Sequence, residues 1–374
     1  MITNSPIGDA PHLGMRDRVT TIEFGTGEIS GHSQYLMPTF SRLRTAAVVL
    51  LALLFPLISL ADELFVRVID VGQGECVVAR FTDSTGPTYF IYDAGPSGSL
   101  TIAAIKKIIP VGSNVALMVV SHNDSDHIAA IPAIMAAYHI KRIIHPGDDR
   151  GGSINGPAKK AAAAIKAEEM NDGCVNTDLS RVSVAPGTYF ERGSFRATFI
   201  AGFSRPPPDF GNLDESESNN AGSIIIRLSF KKGSILLCGD AVGRHLTSDV
   251  GTCIATESYI VNNVANVPIK SDVIVAPHHG ANNGSSEDFI AAVAPEYVIF
   301  SAGSGHGHPT KAAAKRYTNF GVPLTKIFRT DLGDSEGGNE WAEGAKADYK
   351  DGPGDHHVDI VISDDQNISV AYAR

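Results

Sequence analysis

From Leu64 onward the chain alternates apolar and polar positions in short blocks, the period-two pattern of half-buried strands. "LFVRVIDVGQGECVVARF" reads as two strands about a Gly-rich turn, and "TYFIYDAG" as a third, ending at Asp93. "VALMVVSH" is apolar throughout and bounded by turn residues, which predicts a fully buried strand. "LTIAAIKKII", "HIAAIPAIMAAYHI" and "GPAKKAAAAIKAEEM" each predict one helix, and "KRIIHPG" a further strand. The second half repeats the logic with different residues. "RATFIAGF", "SIIIRLSF" and "SILLCGD" predict consecutive strands, the last two joined at Lys231-Lys232-Gly233. "DVIVAP" and "YVIFSAG" are strands separated by the helix "SSEDFIAAVA"; "HPTKAAAKRYTNFG" is a helix with a glycine stop, and "VDIVISDDQNISVAYA" a closing hairpin. Residues 204–220 and 331–356 lack periodicity and are expected as loop insertions. Two strand-rich halves, each finished by helices, predict an α/β four-layer αββα sandwich: two sheets face to face, with helices outside.

The first 61 residues read differently. Residues 46–60, "AAVVLLALLFPLISL", are uncharged and apolar but short of the about 20 residues a membrane span needs. Arg42 and Arg44 precede them and Ser59-Leu60-Ala61 offers a small-x-small cleavage site, the layout of a secretory signal peptide. Met37 is a fitting start for such a peptide. The expectation is therefore a non-native leader (1–36), a signal peptide (37–61) and one domain (62–374), exported to the periplasm or outside the cell. The alternative is a cytosolic tail with a membrane anchor at 46–60.

Charge and cysteines then narrow the field. The formal net charge is −10, and residues 1–61 balance their charges, so all of it falls on the expected domain. An acidic surface disfavours broad, non-specific nucleic-acid binding. The four cysteines have no CxxC spacing, which argues against a zinc ribbon. Cys76 and Cys238 lie in apolar runs and are expected as buried thiols. Cys174 and Cys253 lie in polar segments and are candidates for a disulfide in an oxidising compartment.

The candidate chemistry starts at "SHNDSDHIAAI". His122, Asp124, Asp126 and His127 follow the spacing His-x-Asp-x-Asp-His. In an extended turn, alternate residues point the same way, so His122 and Asp124 would face one point, Asp126 and His127 a neighbouring one. Imidazole and carboxylate together suit divalent metals, and the oxygen content shifts preference towards ions such as Mn²⁺. Six residues cannot fill two coordination spheres. Further donors stand at other strand ends: Asp93, Asp240, His278-His279 and His308. Polar residues at the carboxyl ends of apolar strands are where open sheets build sites.

In this order, Asp93, "HNDSDH", Asp240 in "LCGD" and "PHHG" resemble the metallo-β-lactamase superfamily. Within it the chain is similar to the soluble C-terminal domain of ComEC-type DNA-uptake proteins, through "VIDVGQGECVVARF", "IYDAG", "NNAGSIIIRLSF", "SILLCGD" and "VIVAPHHGANNGSSEDFIAAVAPEYVIFSAG". The resemblance implies a hydrolase site with one or two divalent ions, Zn²⁺ or Mn²⁺. It implies His122 and Asp124 on one ion, Asp126 and His127 on the other, Asp240 between them, and His278 or His279 completing a shell, with His278 slightly preferred. Asp93 would orient the cluster from behind. Two departures stand out. Asp124 replaces the superfamily's more common His, as in the ComEC-like subgroup. Asn219 and Asn220 occupy the region where a further metal-binding His is usual, so one-ion occupancy stays open.

The implied activity is hydrolysis, most simply of a phosphodiester. A bound divalent ion lowers the pKa of its water towards about 7 and supplies hydroxide at neutral pH. Asp126 and Asp240 would be the catalytic carboxylates, Asp240 accepting the water proton, and His308 would serve the leaving group. Single-stranded DNA is the substrate that kinship points to; a small phosphate or carboxylic ester is the alternative, and a non-catalytic, metal-stabilised binding module the rival. His139, His145 and Trp341 are expected as structural residues, and His356-His357 as a solvated pair in a loop.

Overall fold

The computed structural model describes residues 62–147, 156–303, 306–331, 340–345 and 354–373. The expected leader and signal peptide lie outside the described residues, as does most of the 331–356 segment. The strands, in chain order, are β1 (Glu63–Val68), β2 (Val77–Asp83), β3 (Gly86–Tyr92), β4 (Asn114–Val115), β5 (Leu117–Val119), β6 (His139–Ile140), β7 (Arg142–His145), β8 (Val175–Asp178), β9 (Tyr189–Arg192), β10 (Phe195–Ala201), β11 (Ile225–Phe230), β12 (Gly233–Leu237), β13 (Val273–Val275), β14 (Tyr297–Phe300), β15 (Ile327–Arg329), β16 (Val358–Ser363) and β17 (Ile368–Tyr372).

Two sheets hold nearly all of them. One runs β17-β16-β1-β2-β3-β5-β7-β8 and the other β15-β14-β13-β12-β11-β10-β9. Each is antiparallel on one side and parallel on the other: β3, β5, β7 and β8 run together in the first, and β12 to β15 in the second. Parallel neighbours carry their carboxyl ends to one edge, and in both sheets that edge forms the same rim of the molecule.

Alternation decides which layer each side chain joins. Leu64, Val66 and Val68 of β1 face the inter-sheet core with Ile235 and Leu237 of β12 and Val358, Ile360 and Ile362 of β16. The central strands are apolar on both faces. Ile91 of β3 and Met118 of β5 turn outward beneath the helices Gly98–Ile105, Ile131–Ala137 and Pro157–Asp172. Leu236 and Ile274 do the same beneath Ala255–Asn262, Glu287–Val293 and Lys311–Asn319. The result is the αββα sandwich.

Four expectations change. The single helix over 127–140 is two, Ser125–Ile128 and Ile131–Ala137, followed by β6. Pro132 cannot donate a backbone hydrogen bond to the preceding turn, so the helix restarts there. The 204–220 loop contains the helix Glu215–Asn220, started by a capping box: Glu217 N donates to Asp214 Oδ1 at 2.8 Å, and Asp214 N to Glu217 Oε2 at 3.3 Å. That Asp-x-x-Glu signal stands in the sequence. Cys174 and Cys253 are both free thiols. Cys174 packs under the helices of the first sheet, and Cys253 accepts from Ser286 Oγ on the other half. His356 and His357 are buried rather than solvated. Asp70 Oδ2 accepts from the backbone N–H groups of Gly354, Asp355 and His356, and His357 Nδ1 accepts from Asp70 N. This ties the start of β16 against β1. His145, His139 and Trp341 are structural: His145 Nε2 meets Asn176 Oδ1, His139 pairs with Asp172, and Trp341 packs edge-on against Phe300.

The sheets interlock through Phe81 of β2, whose ring lies 5.8 Å from Phe195 and 5.6 Å from Phe230 on the opposing sheet. Phe81→Ala should cost about 3–5 kcal/mol of stability in a urea titration. A loss below about 1 kcal/mol would show that this contact does not hold the layers together.

Candidate metal centre

The site forms where the rim segments of the two sheets touch. The chain leaves β3 into Asp93, β5 into Ser121 and His122, β12 into Gly239 and Asp240, and β13 into Pro277, His278 and His279. Gly239 has φ +50, and a Cβ there would stand 2.6 Å from Ser121 Cβ, so only glycine lets the second sheet's turn close on the first. Backbone bonds seal the contact: Ile224 N donates to Ser121 O at 2.8 Å and His278 N to Gly239 O at 2.9 Å. Gly74 of the "GQG" turn backs the cluster, with the site of a Cβ only 2.3 Å from Asp126 O.

Asp240 is the centre. It is 3% exposed, and each of its carboxylate oxygens faces two imidazoles. Oδ1 lies 3.2 Å from His127 Nε2 and 3.4 Å from His279 Nε2. Oδ2 lies 3.6 Å from both His122 Nε2 and His278 Nε2. Asp126 joins the first group, 3.5 Å from His279 Nε2 and 4.0 Å from His127 Nε2. Asp124 joins the second, 3.4 Å from His122 Nε2. Both His278 and His279 reach Asp240, one on each oxygen. Successive left-handed conformations, φ +50 and +54, turn the two neighbouring rings to the same carboxylate.

All four rings present Nε2 because Nδ1 is engaged elsewhere. His127 Nδ1 donates to Asp93 Oδ2 at 2.7 Å, and His279 Nδ1 to Ser301 O at 2.6 Å. His278 Nδ1 donates to Asn283 Oδ1 at 2.7 Å. Ser121 Oγ donates to Asp93 Oδ2 at 2.6 Å and so accepts from His122 Nδ1 at 2.9 Å. A fixed Nδ1 proton leaves the Nε2 lone pair aimed inward, the arrangement that prepares histidine as a metal ligand. Asp93 thus sits behind the cluster, against His127 and Ser121. Ser121, Asn283 and the Ser301 carbonyl were not found from the sequence, since serine, asparagine and a backbone oxygen carry no spacing signal.

The donors fit a divalent ion. His122 Nε2 and Asp240 Oδ1 are buried without a hydrogen-bond partner, an expensive arrangement unless a cation satisfies them. Ligands about 2.0–2.1 Å from a tetrahedral ion stand about 3.4 Å apart, close to the spacings around each oxygen of Asp240. His127, His279, Asp126 and Asp240 can hold one ion; His122, His278, Asp124 and Asp240 can hold a second. Burial opposes ionisation of Asp240, but the imidazoles of His279, His127, His278 and His122 outweigh it and hold the carboxyl well below its usual range. Glu75, fully enclosed behind the site, goes the other way: burial, then Asp93, push it up to about 8.

The remaining expected residues lie at the edge. The His308 ring is 5.8 Å from that of His278, and burial lowers its pKa to about 4. Asn220 Nδ2 reaches His278 Nε2 at 3.3 Å from the place where a further histidine was missing, while Asn219 lines a cavity beside His122.

The metallo-beta-lactamase superfamily model matches residues 69–306. With the αββα fold and the rim cluster, this places the chain in the metallo-β-lactamase superfamily. Its curated relatives include Competence protein ComA of Neisseria gonorrhoeae, 29% identical over 308 residues, which are 79% of this chain and 36% of that protein. ComE operon protein 3 of Bacillus subtilis (strain 168) is 21% identical over 308 residues, 76% of this chain and 34% of that protein. The chain therefore spans about a third of the length of the curated relatives it matches. Among solved structures, CmlA, a diiron beta-hydroxylase from Streptomyces venezuelae, aligns with a TM-score of 0.41 at 13% identity, over 72% of this chain and 53% of that one.

Replacing Asp93 by Asn should weaken Zn²⁺ or Mn²⁺ binding about 10–100-fold in isothermal titration calorimetry. Unchanged affinity would show that Asp93 does not set the His127 ring. Behind His278, the 282–286 loop is gripped at both ends. Glu257 accepts from Ser285 N and Ser286 N, and Arg316 donates to the carbonyls of Asn282, Gly284 and Ser285. Burial raises Glu257 to about 7 despite those bonds. The folded state therefore keeps a proton that the unfolded chain loses near 4.5. Its contribution to stability is full below that value and is lost as pH rises through about 7. Denaturation of Glu257→Gln across this interval should show a flatter pH dependence than wild type; an identical slope would refute the assignment.

Proposed function

We propose that this protein is a metal-dependent phosphodiesterase, exported behind the 37–61 segment. The observation that carries the reading is Asp240: one buried carboxylate faced by two imidazoles on each oxygen, with Asp124 and Asp126 completing the two groups. When bound, divalent ions would supply Lewis-acid charge for a phosphoryl oxygen and lower the pKa of an attacking water.

The chain's own residues do the rest. Asp240 stays ionised and takes the proton from the incoming water at a carboxylate oxygen. Asp124 and Asp126 are the partly exposed members, their side chains 30% and 25% accessible, so substrate approaches from their side. His308 stands beside His278, where its neutral imidazole can hold the leaving oxygen by a hydrogen bond. The rings of His122, His127, His278 and His279 keep their orientation through Nδ1 and spend no reorganisation during the reaction.

The test is turnover of bis(p-nitrophenyl) phosphate by the purified chain with Mn²⁺, Zn²⁺ or Mg²⁺. Asp126→Ala should lower kcat/KM by about 100-fold or more, as loss of a metal-holding carboxylate demands. Lys160→Ala, on an outer helix, should match wild type. Tight metal binding without turnover under all three ions would instead identify a binding module, the reading favoured by Asn220 standing at the second group.

A further inference from the structure

The carboxyl end of β15 reaches the same rim as the metal centre and carries a buried charged cluster that the chemistry above does not use. Arg329 is 1% exposed and Asp331 6%, and Glu340 is buried against them at the start of the segment 340–345. Arg329 Nη1 donates to Glu340 Oε1 at 3.4 Å and to the carbonyl of Trp341. Arg329 Nε stands 3.6 Å from Asp331 Oδ1, beyond hydrogen-bond reach. The carboxyls of Asp331 and Glu340 face each other within hydrogen-bonding range.

That contact calls for a hydrogen. Both oxygens of Asp331 are buried, and no donor reaches either. Two ionised carboxylates offer acceptors alone, and Arg329 brings one positive charge to the pair. One proton on the pair turns the contact into an O–H···O bond and leaves one negative charge for one positive. Burial first, then Glu340, push Asp331 up to about 8 against the pull of Arg329. Tyr372 of β17 faces the cluster from the other side. Its hydroxyl accepts from Arg329 N at 3.3 Å and donates to Arg329 O at 3.1 Å, and burial holds its pKa up at about 12, so it stays neutral. The His356 ring stands behind Tyr372 at 5.7 Å.

The pair sits where it acts on the site. Glu340 bridges antiparallel to Thr310, and Trp341 N donates to Pro309 O at 2.8 Å. Pro309 follows His308 directly. Thr310 N and Thr310 Oγ1 donate to Gly280 O at 2.9 and 3.0 Å, next to His279. Thr330, between Arg329 and Asp331, braces Ala302: its hydroxyl donates to Ala302 O and accepts from Ala302 N, both at 2.9 Å. The carbonyl just before it, Ser301 O, is the one that holds His279 Nδ1. The segment 340–345 is thus a strap across the chain that carries His308. The buried Trp341 ring closes it, 6.0 Å from Phe300.

We propose that Asp331 and Glu340 share a single proton, and that this proton fastens the 340–345 strap to Pro309–Thr310 so that His308 keeps its place beside His278. Asp331 and Glu340 are then positioning residues. The effect on turnover rests on the phosphodiesterase reading; the fastening itself does not. The closed pair keeps a proton that an opened chain loses near 3.8. Its stabilisation is full below that value, weakens as pH rises and is lost through about 8, where both carboxyls ionise and repel. The strap therefore loosens in mildly alkaline solution.

Trp341 is the chain's single tryptophan, so its fluorescence reports on the strap directly. Acrylamide quenching of wild type should rise about twofold or more between about pH 6.5 and about 9.5, with far-UV circular dichroism unchanged. Asp331→Asn carries a donor at any pH and should keep the low quenching throughout; Glu340→Gln should do the same from the other side. Turnover is compared on diphenyl phosphate, whose leaving oxygen needs more help than p-nitrophenolate. Over the same interval the kcat of wild type should fall about tenfold relative to Asp331→Asn at unchanged KM, as loss of one positioned hydrogen bond demands. A flat quenching profile in wild type, or the same rise in Asp331→Asn, would overturn the shared proton. A rise in quenching with a pH-independent kcat ratio would overturn the link to His308. Absence of any wild-type turnover would sink the phosphodiesterase reading instead, while the fluorescence still judges the pair.

Discussion

A single buried carboxylate organises this molecule. Asp240 lies where the two sheets meet at the rim, with four imidazoles on its oxygens. Burying that charge is costly. The cost is offset only because each ring is locked from behind, so the lone pairs and the carboxylate converge on the same small volume. Remove the convergence and the buried polar atoms of His122 and Asp240 become a liability with no compensation.

The fold supplies that convergence through its mixed sheets. An antiparallel arm in each sheet builds the sandwich core, and a parallel arm brings several strand ends to one edge. Close approach there needs residues without bulk. Gly239 sits against Ser121, and Gly74 against Asp126 O. These positions tolerate no side chain for the same reason that the donors can meet across the sheets.

The two halves of the cluster are held unequally. His127 and His279 are fixed by a buried carboxylate and a backbone carbonyl, His122 and His278 by a hydroxyl and a side-chain amide. The second pair also faces the cavity and Asn220. The better-anchored half is therefore the more rigid donor set, and the other half borders open space. The loop behind His278, gripped by Glu257 and Arg316, limits how far that ring can move.

The alternation in β1, β2 and β11, the apolar runs of β5 and β12 and the Ala-rich helix Pro157–Asp172 were readable as a sequence, because period and propensity are local properties. So was the candidate donor set, since Asp93, the 122–127 cluster, Asp240 and His278-His279 all follow apolar strands. Locality also explains the misses. Pro132 and the Asp214–Glu217 capping box were visible but were outweighed by the patterns around them, and His356-His357 looked solvated because Asp70, which anchors that segment, lies almost the whole domain away. Which oxygen of Asp240 meets which ring, what holds each Nδ1, and that Asn219 lines a cavity beside His122 were decided only in three dimensions. Those relations join residues from both sheets, and their distances exist only once the core has packed the two sheets against each other.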